Sequence, residues 1–307
     1  MKIIMIDGGA GRVLTSIPAL LKYDQLNLNK EEWYISVPWW DLLLWGIPEL
    51  HPRVLNPENP NVFEDYFWRA EEVITLEPYR VPEYYRQEIS LAESFDLLLN
   101  GRENKDIPLP SLKIELSTME MAKGMSIIND VKSKQGKEKT IVIQPYGSTA
   151  EDSALGIIDG SLRSIPERIF NKYVDNLKED YNVIYMGVEN LHRGDSYFPS
   201  PTTNIREWSC VIALADYFIG CDSVGQHFAK VFDKKASVFM GGGTHEKNVS
   251  YPDEFHIIKK DTELYPIPMR ISGTQNHLAL RMNENRMIYS DEEIQFTLDV
   301  IRHNIES

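Results

Sequence analysis

The 307-residue sequence has only two cysteines, and none of its apolar runs approaches the ~20 residues needed to span a bilayer. Cys210 and Cys221 cannot supply a disulfide framework or a four-ligand zinc site, so both are expected to be buried as small apolar residues. The first six residues are too short for the apolar core of a signal peptide. These absences predict a cytoplasmic protein with no membrane-spanning segment and no four-ligand zinc site.

Basic charge is also scarce. The formal net charge is −14, and it is spread evenly: 16 basic and 22 acidic residues lie up to Lys139, with 16 basic and 24 acidic residues after it. A surface of this sign disfavours a general affinity for nucleic acid or anionic membranes. The length and the 42% hydrophobic content favour about two domains, each with its own core.

Several nucleotide-binding and catalytic motifs are missing. Gly8-Gly9-Ala10-Gly11 is not a Gly-x-Gly-x-x-Gly fingerprint, because no third glycine follows at the required place. The chain has no Gly-Lys-Ser/Thr phosphate loop and no Gly-x-Ser-x-Gly turn. Dehydrogenases, P-loop kinases and serine hydrolases of those types are therefore disfavoured.

The chain does contain a repeated strand–helix pattern. Residues 3–6 are continuously apolar, as in a strand buried on both faces, and a glycine loop and an amphipathic helix over residues 13–23 follow. Further strands are predicted at 33–37, 72–76, 95–99, 140–144, 182–186, 217–220 and 236–239, with helices at 166–179, 208–215 and 225–232. This alternation indicates an α/β fold with parallel sheets.

Three regions are predicted along the chain. An N-terminal domain covers 1–135 and a C-terminal domain covers 140–290, separated by an exposed lysine-rich linker at 131–139. Residues 291–307 form a closing helix capped by Ser290. Residues 56–95 are rich in proline and aromatics, which indicates an insertion of loops and short helices. Its Tyr84 and Tyr85 are expected either to line an acceptor pocket or to form the core of an aromatic subdomain.

Ligands of open parallel sheets bind outside the carboxyl ends of the strands, so the loops after the strands are the candidate sites. Gly147 and Ser148 lie in one such loop, and Gly187 ends another strand. Residues 223–226 begin a helix, where free N–H groups favour an anion. Gly242 lies in a glycine run that fits either a phosphate or a plain turn, and Arg163 offers a bidentate guanidinium.

Residues 218–229 read Phe-Ile-Gly-Cys-Asp-Ser-Val-Gly-Gln-His-Phe-Ala. This segment resembles the Asp-Ser/Thr-Gly-x-x-His-x-Ala element of the bacterial heptosyltransferase-like glycosyltransferases, which use ADP-heptose to build lipopolysaccharide core. Residues 11–20, 143–148, 163–166, 185–189 and 239–241 look like further family elements in the family's order. The resemblance is good over about 140–244, limited to some twenty residues at the N-terminus, and absent between them.

The resemblance implies the GT-B architecture, in which two Rossmann-like domains face each other across a cleft. It implies a nucleotide-sugar as co-substrate, with no metal and no other cofactor. The donor-binding residues would then be Gly147, Ser148, Arg163, Gly187, Glu189, Asp222, Ser223, Val224, Gly225, Gln226, His227 and Gly242. Asp222 would orient the diphosphate loop, Arg163 would replace the family's phosphate-binding lysine, and Glu189 would lie near the nucleoside. His227 is expected to contact phosphate or to pack the helix.

The chain departs from the family at its expected general base. That aspartate is Arg12 here, and arginine stays protonated and cannot accept the acceptor's proton. Arg12 would instead stabilise the leaving diphosphate or bind an anionic acceptor. Asp7, at the end of the first strand, is the candidate base, ahead of Asp41 and Glu88. Gly9 and Gly11 are expected on the acceptor side.

The acceptor itself is left open by the sequence. A glycan is one candidate. The other is a hydroxymethylated pyrimidine in phage DNA, since residues 39–95 resemble glycosyltransferase-like proteins of large tailed phages in general character. In that case the protein would work in the bacterial host's cytoplasm, and Lys259, Lys260, Arg270, Arg281 and Arg286 would bind the DNA backbone. A nucleotide-sugar epimerase and an inactive sugar-nucleotide-binding protein are alternative functions of the same fold.

Overall fold

Both halves of the chain consist of short strands followed by glycine-containing turns and helices. The computed structural model describes residues 1–28, 31–153, 156–159, 161–187, 205–241, 245–261 and 284–307. It divides into two units, Met1–Ser117 and Thr118–Ser307. In these ranges no helix is both long and apolar enough to cross a membrane.

The strands are β1 (Lys2–Met5), β2 (Trp33–Ser36), β3 (Glu72–Thr75), β4 (Thr140–Gln144), β5 (Ala150–Ser153), β6 (Gly156–Asp159), β7 (Asn182–Tyr185), β8 (Tyr217–Cys221), β9 (Ala236–Phe239) and β10 (His256–Ile258). The helices are α1 (Ala10–Leu26), α2 (Val62–Asp65), α3 (Pro82–Tyr85), α4 (Leu91–Asn100), α5 (Thr118–Gln135), α6 (Glu167–Leu177), α7 (Ile205–Leu214), α8 (Val224–Val231), α9 (Glu246–Val249) and α10 (Asp291–Glu306). Single 3-10 turns lie at Asp41–Leu44, His51–Arg53, Phe67–Arg69, Pro78–Arg80, Arg102–Asn104 and Glu284–Met287.

The N-terminal unit contains a parallel three-stranded sheet in the order β2-β1-β3. The central strand β1 is apolar and buried, and Met5 pairs with Ser36 on one side and with Thr75 on the other. Helices α1 and α4 pack against each other beside it. The sequence prediction of a parallel α/β unit here is confirmed, with the first three strands in their predicted places.

A buried ion pair joins helix α1 to helix α4, and further hydrogen bonds join α1 to the turn after α4. Lys22 lies inside the unit and donates to the Asp96 carboxylate at 2.7 Å and to the carbonyls of Asn104 and Ile107 at 2.8 Å each. All three protons of the ammonium are thus used, as a charge removed from water requires. This contact fixes α4 and the following turn on α1.

Residues 95–99 were predicted as a strand, and this prediction is wrong. They form the middle of helix α4, which begins at a capping box in which Ser90 and Glu93 exchange hydrogen bonds. Its apolar residues at helical spacing face α1. Residues 56–90 contain the predicted short helices, but β3 runs through them and joins the sheet, so they are not a separate insertion.

The C-terminal unit contains a five-stranded parallel sheet in the order β10-β9-β8-β4-β7. Strands β4, β7, β8 and β9 are buried along their whole length, which their continuous apolar sequence predicts. Helices α6 and α10 pack against the sheet through the core that includes Phe170, Tyr173, Ile294 and Leu298. A separate antiparallel hairpin, β5–β6, lies in the loop after β4 and was not predicted.

The division of the chain lies at 117/118, earlier than the predicted domain end near 135. Helix α5 belongs to the C-terminal unit because it packs on α7, where Gly124 approaches Cys210 so closely that a Cβ would lie 2.8 Å from the cysteine Cβ. Ion pairs between Glu120 and Arg206 and between Lys123 and Glu207 support the same contact. The prediction of an exposed linker from 131 is therefore wrong up to Gln135, where α5 ends.

Candidate functional site

The carboxyl ends of β4 and β8 form the topological switch point of the C-terminal sheet. From β4 the chain runs outward to its neighbour β7, and it then returns to β8 on the opposite side of β4. Open parallel sheets bind ligands in the crevice outside such a point. The loop that follows β4 and the family-like segment 222–227 that follows β8 both begin here.

Gln144, the last residue of β4, connects the two sides of the switch point. Its Oε1 accepts the backbone N–H of Gly225 at 3.0 Å, and its Nε2 donates to Oγ of Ser223 at 3.2 Å. A Cβ at position 225 would lie 2.2 Å from this Oε1 and 2.5 Å from the Phe218 ring, so only glycine allows the approach. Gln144 thus satisfies one N–H of the first turn of α8. Sequence reasoning missed this residue, because a glutamine in a buried strand belongs to no motif.

Asp222 is held in the same loop by a second amide. Gln226 is fully buried, and its Nε2 donates to Asp222 Oδ1 at 3.0 Å. Val224, between them, is buried in the first turn of α8. These contacts fix the backbone of residues 222–226, which an orienting role for Asp222 requires; contact with a diphosphate remains a prediction.

His227 is buried in α8 and packs against the segment after α9. Its Nδ1 lies 2.9 Å from the hydroxyl of Tyr251, whose ring meets the imidazole edge-on. Burial lowers the pKa of His227 to about 4, so the ring is neutral at pH 7. A neutral, buried imidazole cannot bring positive charge to a phosphate. Of the two expected roles for His227, helix packing is the one these contacts support.

The loop after β4 is organised by one partly buried carboxylate that sequence reasoning also missed. Asp159, at the end of β6, accepts hydrogen bonds from Thr149, from Ser161 and from the hydroxyl and N–H of Ser164. Burial alone would raise the pKa of Asp159, but these hydrogen bonds outweigh it and hold the pKa below its ordinary value. Ser164 in turn accepts the N–H of Gly147 at 2.9 Å.

Arg163 is partly exposed in this loop, and Ser148 is exposed. Its Nε donates to Ser161 Oγ at 3.0 Å and its Nη2 approaches Thr149 Oγ1 at 3.4 Å. Within the described ranges no carboxylate lies at ion-pair distance from Arg163. Its charge is therefore uncompensated by a direct partner and suited to an anionic ligand.

Among the remaining residues expected to bind the donor, Gly187 lies in the described part of the chain. Gly187 is buried just after β7. Gly241, just after β9, is packed so tightly that a Cβ would lie 1.9 Å from Met287 Sδ. Glu189 and Gly242 lie outside the described residues, so their expected roles remain predictions.

In the N-terminal unit, Arg12 joins two carboxylates from neighbouring strands. Its Nη2 lies 3.0 Å from Oδ1 of Asp7, which follows β1, and its Nη1 lies 3.5 Å from Oε2 of Glu77, which follows β3. Nη2 also donates to the carbonyl of Leu76, and the guanidinium lies 5.4 Å from the centre of the Tyr79 ring. The Arg12 side chain is only 9% exposed, whereas that of Asp7 is 60% exposed. An anionic ligand would have to compete with both carboxylates for Arg12.

The glycines before Arg12 shape this end of the sheet. Gly8 has a φ of +94°, a conformation that favours glycine, and a Cβ there would press on the Arg12 side chain at 3.0 Å. Gly9 is the N-cap of α1, and a Cβ there would meet nothing within 4 Å. Gly11 lies inside the first turn of α1 and accepts the Thr15 hydroxyl. Gly9 therefore borders open space, while Gly11 is part of the helix.

The two tyrosines expected on the acceptor side have different environments. Tyr84 is buried between Tyr79 and Tyr85, with ring centroids 5.6 and 6.4 Å away. This burial favours the alternative of an aromatic core for Tyr84, and an acceptor contact there stays a prediction. Tyr85 is partly exposed.

Four of the side chains suggested for DNA binding or as alternative bases are buried or paired elsewhere. Arg286 is 1% exposed, and Lys260 is buried with its ammonium bonded to Glu293, so neither can contact a phosphate backbone. Lys259 pairs with Glu246. Glu88 is an exposed residue held by Arg86. Asp41 begins a 3-10 turn, and Arg270 and Arg281 lie outside the described residues.

The two parallel-sheet units and the switch-point loop define an α/β protein with the GT-B fold, and comparison with solved structures agrees. E. coli ADP-heptose lipopolysaccharide heptosyltransferase II is similar over 100% of this chain and 99% of its own, with a TM-score of 0.64 and 13% identity. A family 9 glycosyl transferase from Veillonella parvula has a TM-score of 0.64 and 11% identity over 100% and 97% of the two chains.

E. coli heptosyltransferase WaaC, solved with ADP, is similar over 99% of this chain and 100% of its own, with a TM-score of 0.52 and 12% identity. No protein-family model matches the sequence, and no curated protein matches it significantly. At these identities the likeness establishes the fold that the resemblance implied. The chemistry has to come from this chain's own residues.

Proposed function

We propose that this chain is a glycosyltransferase that takes a sugar from a nucleotide-diphosphate donor without a metal ion and transfers it to a hydroxyl group. The observation that carries the proposal is the switch point of the C-terminal sheet. There Gln144 fixes the first turn of α8, and Arg163, in the loop after β4, contacts hydroxyl groups and has no carboxylate at ion-pair distance among the described residues.

The donor diphosphate needs positive charge and hydrogen-bond donors. The first turn of α8 supplies backbone N–H groups and the positive end of the helix dipole, and Arg163 supplies a guanidinium. Ser223 adds a hydroxyl at the N-cap, and its Oγ already accepts from Gln144 and keeps its proton to donate. These groups would stabilise the charge that develops on the departing nucleoside diphosphate.

The reaction needs a base on the acceptor side. In a single displacement the acceptor oxygen bonds to the anomeric carbon while the bond from that carbon to the diphosphate oxygen breaks, and the diphosphate leaves with the electron pair. The acceptor proton then passes to Asp7, our candidate base, whose Oδ1 is fixed by Arg12 and whose side chain is mostly in solvent. Arg12 positions this carboxylate.

The proposal is tested by thermal-shift measurements with ADP-, UDP-, GDP- and CMP-sugars. We expect one nucleotide class to raise the melting temperature, because a ligand that binds only the folded state stabilises it. Arg163→Gln should abolish the shift, while Arg168→Gln, in an exposed ion pair with Asp291, should leave it unchanged.

Asp7→Asn separates binding from transfer. We expect it to keep the donor-induced shift and to lose transfer activity, because the amide cannot accept a proton at neutral pH. If no nucleotide-sugar stabilises the wild-type chain, the proposal is wrong. Donor binding with no hydrolysis or transfer in any assay would instead indicate a sugar-nucleotide-binding protein.

A further inference from the structure

Three of the six tryptophans lie close together after β2, and one of them is unusually exposed. Trp39 has 77% of its surface in solvent, in the turn that follows β2, and Trp45 is also largely exposed. An indole left in water forgoes the stabilisation that its burial would give. A cluster of such residues at a sheet edge indicates a contact surface.

This turn shares an edge of the sheet with Asp7 and Glu77. Met5 pairs with Ser36 and Thr75, and the pairing extends one residue further on both sides. The N–H of Ile6 donates to Ser36 at 3.0 Å, and the N–H of Leu76 donates to Met5 at 3.3 Å. Because the three strands are parallel, Trp39, Asp7 and Glu77 all follow at the carboxyl edge.

Carboxylates follow two of the three strands at this edge. Arg12 is turned inward onto Asp7 and Glu77, so among these three side chains the carboxylates, above all that of Asp7, are the groups that face solvent. The N-terminal unit as a whole carries 19 acidic and 11 basic residues. Arg80 is exposed in the turn after Glu77 and is the group there that would attract a phosphate.

From these features we infer that the carboxyl edge of the N-terminal sheet is an acceptor subsite for a neutral sugar ring, stacked on Trp39 with a hydroxyl on Asp7. The inference rests on the proposed function, because it names the acceptor of that reaction.

A neutral sugar can interact with both features of this edge, the exposed indole and the carboxylates. Its axial C–H groups carry slight positive charge and suit the negative face of an indole, and its hydroxyls donate to carboxylates that only accept. Gly9, which follows β1 at the same edge, borders open space, since a Cβ there would meet no atom within 4 Å. A phosphorylated sugar or a nucleic-acid backbone would meet carboxylates of its own sign.

The experiment is a titration of the full chain, labelled with ¹⁵N, with the methyl glycosides of common hexoses, followed through the six indole N–H resonances. Trp39→Ala assigns its resonance. Trp68 is the matched control, because it is equally exposed at 77% but precedes β3 and so lies toward the opposite edge. We expect at least one glycoside at millimolar concentration to move the Trp39 resonance and leave that of Trp68 in place.

Three variants test the contacts with Trp39 and Asp7. Trp39→Phe keeps an aromatic face and should retain most of the binding, whereas Trp39→Ala should lose it at least tenfold. Asp7→Asn should weaken the same binding. Sugar 6-phosphates should bind several-fold more weakly than the neutral glycosides.

The inference is overturned if no neutral glycoside moves the Trp39 resonance, or if sugar phosphates or a single-stranded oligonucleotide move it more strongly. The titration contains no donor, so it can succeed even if nucleotide-sugars fail to bind. In the transfer assay, Trp39→Ala should raise KM for the acceptor and leave the donor-induced thermal shift intact.

Discussion

The side chain of Gln144 accepts a hydrogen bond from the backbone N–H of Gly225 at 3.0 Å. The end of strand β4 is therefore connected directly to the first turn of helix α8, which follows the neighbouring strand β8. One N–H of that turn is therefore already used within the protein. The other donors near it, including the Ser223 hydroxyl and Arg163, are the ones left for an anion. The loop proposed to bind the donor is thus pre-organised by a neutral amide.

Gln144→Glu should keep the fold and weaken donor binding. The carboxylate can still accept from Gly225, but it cannot donate to Ser223, and it brings negative charge to the expected diphosphate site. We expect a loss in donor affinity of tenfold or more, measured by calorimetry. Gln144→Ala should instead destabilise the fold by about 1–3 kcal/mol, because a buried N–H loses its partner. Equal donor affinity in wild type and Gln144→Glu would show that the diphosphate binds elsewhere.

Gly225→Ala should destabilise the C-terminal unit by about 1–3 kcal/mol, the usual cost of overpacking. The added Cβ would lie 2.2 Å from Gln144 Oε1 and 2.5 Å from the Phe218 ring, so one of them must move. Gly9→Ala is the matched control, since its Cβ would meet no atom within 4 Å. Urea unfolding checks both variants, and similar stabilities for the two would contradict the packing described here.

Lys22→Met should destabilise the N-terminal unit by about 3–5 kcal/mol, because it leaves the buried Asp96 carboxylate without its cation. Lys134→Met removes an ion pair of the same 2.7 Å length with Asp130, but on the surface of α5. There we expect a change of about 0–1 kcal/mol. Comparison of the two unfolding curves tests whether burial, rather than the distance between the charged atoms, sets the contribution of an ion pair to the free energy of unfolding.

His227 should make stability depend on pH. Its pKa is lowered from 6.5 to about 4 in the folded chain, so the unfolded chain binds more protons between these values. Stability is therefore complete above about pH 6.5 and falls as the pH drops toward 4, by roughly 3 kcal/mol in all. His227→Asn should be less stable at neutral pH and should show a shallower loss over this range. An identical pH slope in both proteins would mean that His227 does not carry the effect.

Most strands and the α/β class could be predicted from the sequence, because a strand buried on both faces must be apolar along its length. Residues 140–144 and 236–239 illustrate this for strands. A second local signal is the capping box of Ser290 and Glu293, which starts helix α10 where predicted. These features depend on residues that are neighbours in the chain. The segment 222–227 could likewise be assigned to the end of a strand and the start of a helix.

Residues 95–99 and 131–135 were assigned wrongly for the same physical reason. Both segments have mixed local preference, and their helical state is fixed by what they pack against: α1 in one case and α7 with β7 in the other. The buried position of Tyr84 is a further example, since its two aromatic neighbours and not its own type decide its exposure.

The sequence by itself determined the fold class, most of the strands and the loop between β8 and α8, since apolar periodicity, glycine and caps act over a few residues. Only the tertiary structure decided what the polar groups do. It placed Glu77 and Asp7 on one arginine, directed Gln144 to Gly225, and gathered Thr149, Ser161 and Ser164 on Asp159. Hydrogen bonds and ion pairs depend on distances of about 3 Å, and Gln144 and Gly225 are 81 positions apart in the chain, so only folding sets those distances.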